Sequence, residues 1–166
     1  MTQNPSLAQL ALQLGEALKT RQLRLMTAES CTGGWIAKAA TDVAGSSDWF
    51  EGGVVTYSNG LKHRLLGVDL NVIEAEGAVS EAVVLSMASG AAALGQCHAA
   101  VSVSGVAGPG GGSADKPVGT VWFGFFLEQR CWAVHQHFEG EREAVREASV
   151  RFSLDHLRHA LTAAED

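Results

Sequence analysis

The sequence has little basic charge and few cysteines. Twelve Lys and Arg residues stand against eighteen Asp and Glu residues, so the formal net charge is −6 at pH 7. This balance argues against binding along a nucleic-acid backbone, which requires a basic face. The three cysteines are widely spaced, match no zinc motif and, being odd in number, make a poor disulfide framework. We therefore expect reduced thiols and no nucleic-acid partner.

Long apolar runs and a leader sequence are also missing. No stretch approaches the roughly 18 consecutive apolar residues that cross a bilayer. Residues 1–8 lack the basic and apolar regions of a signal peptide. We expect a cytoplasmic protein without membrane contact. The composition, with 46% apolar and 18% charged residues, and the length of 166 residues are typical of a globular protein. We predict a single domain over 1–166.

Helical and strand patterns alternate along the chain. Near the N-terminus, apolar residues recur at helical spacing, and later valine-rich stretches indicate strands. We predict helices at about 5–20, 35–44, 59–66, 80–95 and 141–162, and strands at about 23–28, 52–58, 99–104, 119–127 and 131–138. Residues 67–79 receive no element. The alternation predicts a three-layer α/β/α sandwich, and the two adjacent C-terminal strands favour a mixed central sheet.

A polar turn, Glu29 to Gly34, lies between the first strand and the second helix. Such a junction can expose a serine nucleophile and backbone N–H groups that stabilise an oxyanion, which makes Ser30 a candidate. Taken alone, the turn is more typical of a helix cap in which Ser30 or Thr32 accepts a backbone hydrogen bond. Cys31 is a competing nucleophile, but the sequence nominates no histidine to activate it.

A second turn carries Tyr57, the only tyrosine, and Lys62. A lysine that is partly removed from water has a lowered pKa and can act as a general base, which a serine nucleophile needs. In isolation, a surface lysine on a short helix is the more common arrangement.

Two further segments are candidates for ligand binding. Ser104 to Gly112 is a glycine-rich loop after a buried strand, and its N–H groups can approach a ligand closely. It has neither the Walker nor the Rossmann pattern, and a flexible surface loop is the alternative. Arg142 and Arg146 share a helix face and suit phosphate or carboxylate, although neighbouring glutamates favour an ordinary salt-bridged face. His135 and His137 lack a third ligand and are weak evidence for a metal.

Together these segments resemble the C-terminal domain of the competence/damage-inducible CinA family. The matches occur in family order and span nearly the whole chain. They are residues 28–34, 45–50, 53–59 with Lys62, 77–81, 104–111, 116–121, 140–142 and Arg146. The departures are mild: Gly60-Leu61 before the lysine, Val106 for a common isoleucine, and Glu141 where aspartate is usual.

The resemblance implies an amidohydrolase of pyridine-nucleotide salvage, which hydrolyses the carboxamide of nicotinamide mononucleotide to nicotinate mononucleotide and ammonia. It implies Ser30 as nucleophile, Lys62 as base and Tyr57 beside them, with no metal or other cofactor. It also implies a homodimer, and no pyrophosphatase activity, which is assigned to an N-terminal domain of longer members. The substrate-binding candidates are Thr32, Gly33, Gly34, Asn59, Ser104, Gly105, Ala107, Gly108, Gly110, Gly111, Arg142 and Arg146.

Two other functions stay open at this point. One is an amidase that uses the same serine and lysine on another small amide. The other is a catalytically silent module that binds a nucleotide for regulation. Retention of Ser30, Tyr57 and Lys62 weighs against the silent module.

Overall fold

The predicted alternation of helices and strands is confirmed in the computed structural model, which describes residues 3–163. Its strands are β1 (Leu25–Glu29), β2 (Phe50–Val55), β3 (Ala99–Gly105), β4 (Thr120–Leu127) and β5 (Arg130–His137). Its helices are α1 (Leu7–Thr20), α2 (Trp35–Thr41), α3 (Asn59–Leu66), α4 (Leu70–Glu76), α5 (Glu81–Gly95) and α6 (Arg142–Ala163). A short 3₁₀ helix spans Ser46–Asp48.

The five strands form one mixed sheet, as predicted. Their order is β2-β1-β3-β4-β5. The first three in this order run parallel, while β4 is antiparallel to β3 and β5 is antiparallel to β4. The carboxyl ends of β1, β2 and β3 therefore lie at one edge of the sheet. The start of β4 and the end of β5 lie at the same edge.

Helices cover both faces of the sheet, which confirms the three-layer α/β/α prediction. Helices α1, α2 and α6 bury apolar side chains on one face, and α3, α4 and α5 do so on the other. Strand β1 is buried along its whole length, as expected for a central strand between two helical layers. No helix in residues 3–163 combines the length and apolarity needed to cross a membrane.

The helices next to the candidate site have recognisable ends. Helix α3 begins after Ser58, whose hydroxyl accepts a hydrogen bond from the Leu61 amide, and it ends at Gly67 in the left-handed conformation. Helix α4, which the sequence analysis did not assign, has seven residues and buries only Ile73. One buried position leaves no periodic apolar signal, so only the Asp69 cap marks this helix in the sequence.

Candidate active site

Ser30 and Lys62 lie against each other at the carboxyl edge of the sheet. Lys62 Nζ is 3.1 Å from Ser30 Oγ. Ser30 directly follows β1, and its amide donates to Val103 O of β3 at 3.0 Å, which fixes the serine backbone. Lys62 lies on α3, which follows β2, the neighbour of β1 on its other side. Adjacent parallel strands thus bring the two predicted residues together.

Lys62 is buried without a counter-charge. Its side chain is among the largest fully buried ones, and Nζ donates to Thr56 O at 2.8 Å and Tyr57 O at 3.1 Å. Within residues 3–163, no salt bridge includes it. Burial lowers the pKa of Lys62, because removal from water penalises the ammonium form. The neutral amine, which can take a proton from a serine hydroxyl, is therefore more accessible than in an exposed lysine.

A cavity of about 200 Å³ opens beside this pair. Tyr57 is 61% exposed, and its hydroxyl is 3.5 Å from Arg142 Nη2, so the two side chains stand together at the cavity's solvent side. Arg142 Nη1 also donates to Gly108 O at 2.8 Å, which ties the start of α6 to the glycine-rich loop. The full lining consists of Ser30, Cys31, Tyr57, Lys62, Ala78, Val79, Ser104, Gly105, Ala107 and Arg142.

The lining contains one further hydroxyl. Ser104, at the end of β3, is almost fully buried and lines the cavity. A serine hydroxyl can both donate and accept hydrogen bonds. Ser104 is therefore suited to bind a polar group of a molecule in the cavity.

The carboxylate of Glu29 holds the turn that carries Ser30. Its Oε1 accepts from Thr32 Oγ1 at 2.6 Å and from the Ile36 amide at 2.8 Å, and its Oε2 accepts from the Ala37 amide at 3.0 Å. Helix α2 begins after Gly34, which has no side chain to cap it, and Glu29 supplies that cap from the preceding strand. Burial raises the pKa of Glu29, against these hydrogen bonds, which lower it.

Cys31 is a poor competitor for the role of nucleophile. Its thiol is buried, and burial raises the pKa of Cys31 to about 11. The thiolate is the reactive form of cysteine, and it is scarce at neutral pH under these conditions. No histidine lines the cavity that Cys31 shares with Ser30.

In the turn that follows β1, three consecutive carbonyls accept hydrogen bonds, whereas two of the amides have no acceptor on another described residue. Arg146 Nε donates to Cys31 O at 3.0 Å, and its Nη2 donates to Thr32 O at 3.2 Å. The Gly33 amide donates to Ser30 O at 3.1 Å. By contrast, the amides of Cys31 and Thr32 donate to no other residue in the part of the chain that the structure describes. Two N–H groups without an acceptor on another described residue therefore follow the candidate nucleophile, and that of Cys31 faces its own thiol closely enough to lower the thiol pKa against burial.

The other predicted binding residues are not part of the lining of this cavity. The Thr32 hydroxyl is committed to Glu29. Asn59 is exposed at the first position of α3. The remaining ones are Gly33, Gly34, Gly108, Gly110, Gly111 and Arg146. Their predicted contact with a substrate stays a prediction.

Sequence reasoning did not assign three residues that shape the site. Glu29 precedes Ser30 in the same motif, and an acidic residue at the end of an apolar strand was the available signal. Ala78 and Val79 lie just before α5, within a segment that matched the family pattern, but apolar residues in a loop carry no chemical signal of their own.

The strand that carries His135 and a second, larger cavity are the other candidate ligand sites. His135 packs against Trp122, with ring centroids 5.0 Å apart, and residues 3–163 contain no group of three His, Cys, Asp or Glu that could hold a metal. A larger cavity of about 1320 Å³ lies at the opposite edge of the sheet, beside Gln96 and Arg130. Cys97 and His98 both line it, but the Cys97 thiol donates to Gly95 O at 3.3 Å and burial raises its pKa, so the chemistry points to the smaller cavity.

The fold and the site define a class: an α/β protein with a buried serine–lysine pair at the carboxyl edge of a mixed sheet. The CinA C-terminal domain family model matches residues 7–161. The chain belongs to this family, as its motifs predicted.

Similar proteins cover nearly the same length. The nicotinamide-nucleotide amidohydrolase PncC of Enterobacter agglomerans is 56% identical over 149 residues, which are 89% of this chain and 91% of that protein. PncC of Escherichia coli K12 is 51% identical over 152 residues, 91% of this chain and 92% of that one. A crystal structure of competence damage-inducible protein A from Klebsiella pneumoniae superposes with a TM-score of 0.92 at 38% identity, covering 95% of this chain and 98% of that one. The expected amidohydrolase class agrees with the names of the two PncC relatives.

Proposed function

We propose that this protein hydrolyses the carboxamide of nicotinamide mononucleotide to nicotinate mononucleotide and ammonia, with Ser30 as nucleophile and Lys62 as base. The observation that carries the mechanism is the 3.1 Å contact between a buried, unpaired Lys62 Nζ and Ser30 Oγ. The substrate is proposed from the names of relatives more than 50% identical to the chain.

The first half of the reaction forms an acyl-enzyme. A neutral lysine amine has two N–H groups and one lone pair. The two carbonyls at Thr56 and Tyr57 match the N–H groups, which leaves the lone pair for the Ser30 proton. Ser30 Oγ then bonds to the carboxamide carbon as its proton moves to Lys62. When the C–N bond breaks, Lys62 returns the proton to the leaving nitrogen, and ammonia departs.

The second half releases the acid. Water attacks the acyl carbon while Lys62 takes one of its protons. The bond between the acyl carbon and Ser30 Oγ breaks, and Lys62 gives the proton to Ser30. The products are the carboxylic acid, which ionises in water, and free enzyme. One base thus serves both steps in alternating directions, which requires a lysine whose pKa is lowered by burial, as that of Lys62 is.

Each half passes through a tetrahedral intermediate with a negative oxygen. The free amides of Cys31 and Thr32 are our candidates for its hydrogen-bond donors. An amide directly after the nucleophile is within reach of an acyl group on Ser30, as in the nucleophile elbow of other hydrolases. Loss of one such donor costs about 10²–10³ in rate in comparable enzymes.

The remainder of the substrate is placed on the solvent side of the reacting amide. A second cavity of about 530 Å³ adjoins the first and shares Ala107 and Arg142 with it. Arg142 stands between the two cavities, where its guanidinium can contact a phosphate. We therefore assign the carboxamide to the cavity at Ser30 and the phosphoribosyl group to the region around Arg142 and the glycine-rich loop.

Ammonia release from nicotinamide mononucleotide by the purified protein tests the proposal. The wild type should produce one ammonia per nicotinate mononucleotide formed, and Ser30→Ala should release none while keeping the wild-type melting temperature and its affinity for the nucleotide. Cys31→Ala is the matched control at the next position and should retain activity. Full turnover in Ser30→Ala would remove Ser30 as nucleophile.

The same assay separates the two alternatives. An amidase with another substrate should prefer nicotinamide or glutamine to the mononucleotide when all three are compared. A catalytically silent module should bind the mononucleotide, as shown by a thermal shift, and release no ammonia.

A further inference from the structure

We infer that Arg146 is a positioning residue that holds an oxyanion donor of the active site in place; this inference rests on the proposed function. Arg146 donates to two consecutive carbonyls, those of Cys31 and Thr32, at 3.0 and 3.2 Å. It does not line the cavity, in contrast to Arg142 on the same helix. Its guanidinium therefore acts on the backbone of the turn rather than on a bound substrate.

Peptide geometry links this contact to the free amide of Thr32. In a trans peptide unit, the C=O and N–H groups point in opposite directions. The only cis peptide among residues 3–163 is Gly108-Pro109. Because Cys31 O points to Arg146, the Thr32 amide in the same unit points away from the guanidinium. That amide has no acceptor among the described residues, so Arg146 fixes the direction of a free donor.

The neighbouring peptide unit is fixed by a separate contact. Ser30 O accepts from the Gly33 amide, which sets the direction of the free Cys31 amide. Both candidate oxyanion donors are thus anchored through the carbonyl of their own peptide unit. Hydrogen bonding from a charged guanidinium also polarises the Cys31–Thr32 unit and strengthens its N–H as a donor. Arg146 therefore contributes to preorganisation, the property on which oxyanion stabilisation depends.

The residues around Arg146 leave room for its guanidinium beside the turn and support it there. Its guanidinium lies 5.6 Å from the centroid of the Trp35 ring, which supports it from the first turn of α2. A Cβ at Gly33 would lie 3.3 Å from Arg146 Nη2, and Gly33 has a φ of +63° that other residues rarely adopt. No salt bridge in residues 3–163 includes Arg146, so no carboxylate competes for its donors.

Two reactions of Ser30 distinguish a positioning role from phosphate binding. The first is ammonia release from nicotinamide mononucleotide. The second is acylation by p-nitrophenyl acetate, which carries no phosphate. In that reaction Ser30 Oγ bonds to the acetyl carbon, the ester C–O bond breaks, nitrophenolate leaves and the serine proton passes to Lys62. Nitrophenolate absorbance gives the rate, and mass spectrometry locates the acetyl group.

The variants are Arg146→Met, which keeps the apolar stem, and Arg146→Lys, which keeps the charge but cannot reproduce the forked contact. Arg151→Met is the control, because Arg151 is also on α6 but donates to Pro5 O, away from the turn. We expect Arg146→Met to lower kcat for the mononucleotide about 10²-fold, as for loss of one oxyanion donor, with KM unchanged. Ester acylation should slow by a similar factor, Arg146→Lys should fall between, and Arg151→Met should react at wild-type rates.

Two results would contradict the positioning role of Arg146. A raised KM for the mononucleotide with unchanged ester acylation would assign Arg146 to the phosphate and overturn the inference, as would wild-type rates in both reactions. If Arg146→Met does not fold, Arg146→Lys decides the same comparison. If the wild type releases no ammonia from the mononucleotide but its ester acylation still depends on Arg146, the proposed substrate is wrong and the positioning role stands.

Discussion

At the scale of single residues, the chemistry depends on how Lys62 is held. A lysine usually keeps its charge in water, and a charged ammonium cannot accept a proton. Burial disfavours that charge, and no carboxylate is present among the described neighbours to restore it. The contacts of Lys62 are all neutral oxygens: the Thr56 and Tyr57 carbonyls accept from either protonation state, and the Ser30 hydroxyl accepts from the ammonium or donates to the neutral amine. The site can therefore cycle the proton without rearranging its backbone.

This tuning predicts the pH dependence of catalysis. Because the neutral form of Lys62 is the base, kcat/KM should rise with pH and level off at a lower pH than an ordinary lysine would require, since burial lowers the pKa of Lys62. The pH profile of ammonia release measures this. Lys62→Arg, which keeps a cation but does not lose its proton, should be inactive throughout. A wild-type profile in Lys62→Arg would exclude Lys62 as the base.

The same burial has a cost in stability. The pKa of Lys62 is lower in the folded protein than in the unfolded chain, so the unfolded chain binds more protons at pH values between the two. The free energy of unfolding therefore decreases as pH falls through that window. At lower pH, Lys62 is protonated in both states and its contribution no longer changes. A base tuned by burial weakens the fold under the conditions where the residue is forced to be charged.

At the scale of helices and strands, the position of Lys62 depends on how closely α3 packs on α5. A Cβ at Gly90 of α5 would lie only 2.1 Å from Leu66 O, at the end of α3. Lys62 is one helical turn before Leu66, so any movement of this helix end displaces the base relative to Ser30. Gly90 thus sets the distance between α5 and α3, the helix that carries the proposed base.

Gly90→Ala tests this dependence. Overpacking of this kind costs about 1–3 kcal/mol, which urea unfolding can measure. We also expect a fall in kcat, because small misplacements of a catalytic group are costly. Gly52→Ala is the control, since its Cβ would lie 3.9 Å from the nearest atom, Met26 Sδ, an ordinary contact. Equal stability and activity in the two variants would contradict the proposed role of this packing.

The helices and the site contacts also show which features could be predicted from the sequence. The bounds predicted for helix α3, about 59–66, are confirmed, and the structure shows Ser58 and Gly67 at its two ends. Helix α4 was missed because a single buried residue leaves no pattern. The approach of Ser30 to Lys62 follows from strand order, which local spacing does not determine; residue chemistry raised both as candidates, and the family resemblance favoured the pair over a helix cap and a surface lysine. The contacts of Glu29 and Arg146 depend on where α2 and α6 pack, which no local motif encodes.

At the scale of the whole molecule, the mixed sheet gathers the components of the site from distant segments. The turn after β1 provides the proposed nucleophile and the two candidate oxyanion donors, α3 provides the proposed base, and the end of β3 provides Ser104. The start of α6 adds Arg142. The antiparallel β4 and β5 lie beyond β3 in the sheet, and none of their residues lines the cavity. The described residues of one chain thus include a candidate nucleophile, a candidate base and candidate donors for the oxyanion.

Because these groups account for every step of the proposed reaction, we predict that hydrolysis needs no metal ion. The proposed steps use Lys62 to move protons and backbone amides to stabilise the oxyanion, so no step requires a Lewis acid. Ammonia release from nicotinamide mononucleotide should keep the same kcat and KM after extensive treatment with EDTA, and added Zn²⁺ or Mg²⁺ should not increase it. A known zinc hydrolase treated in parallel controls for removal of metal. Activity that is lost on chelation and restored by one of these ions would require a metal in the mechanism, and the serine–lysine scheme would have to be replaced.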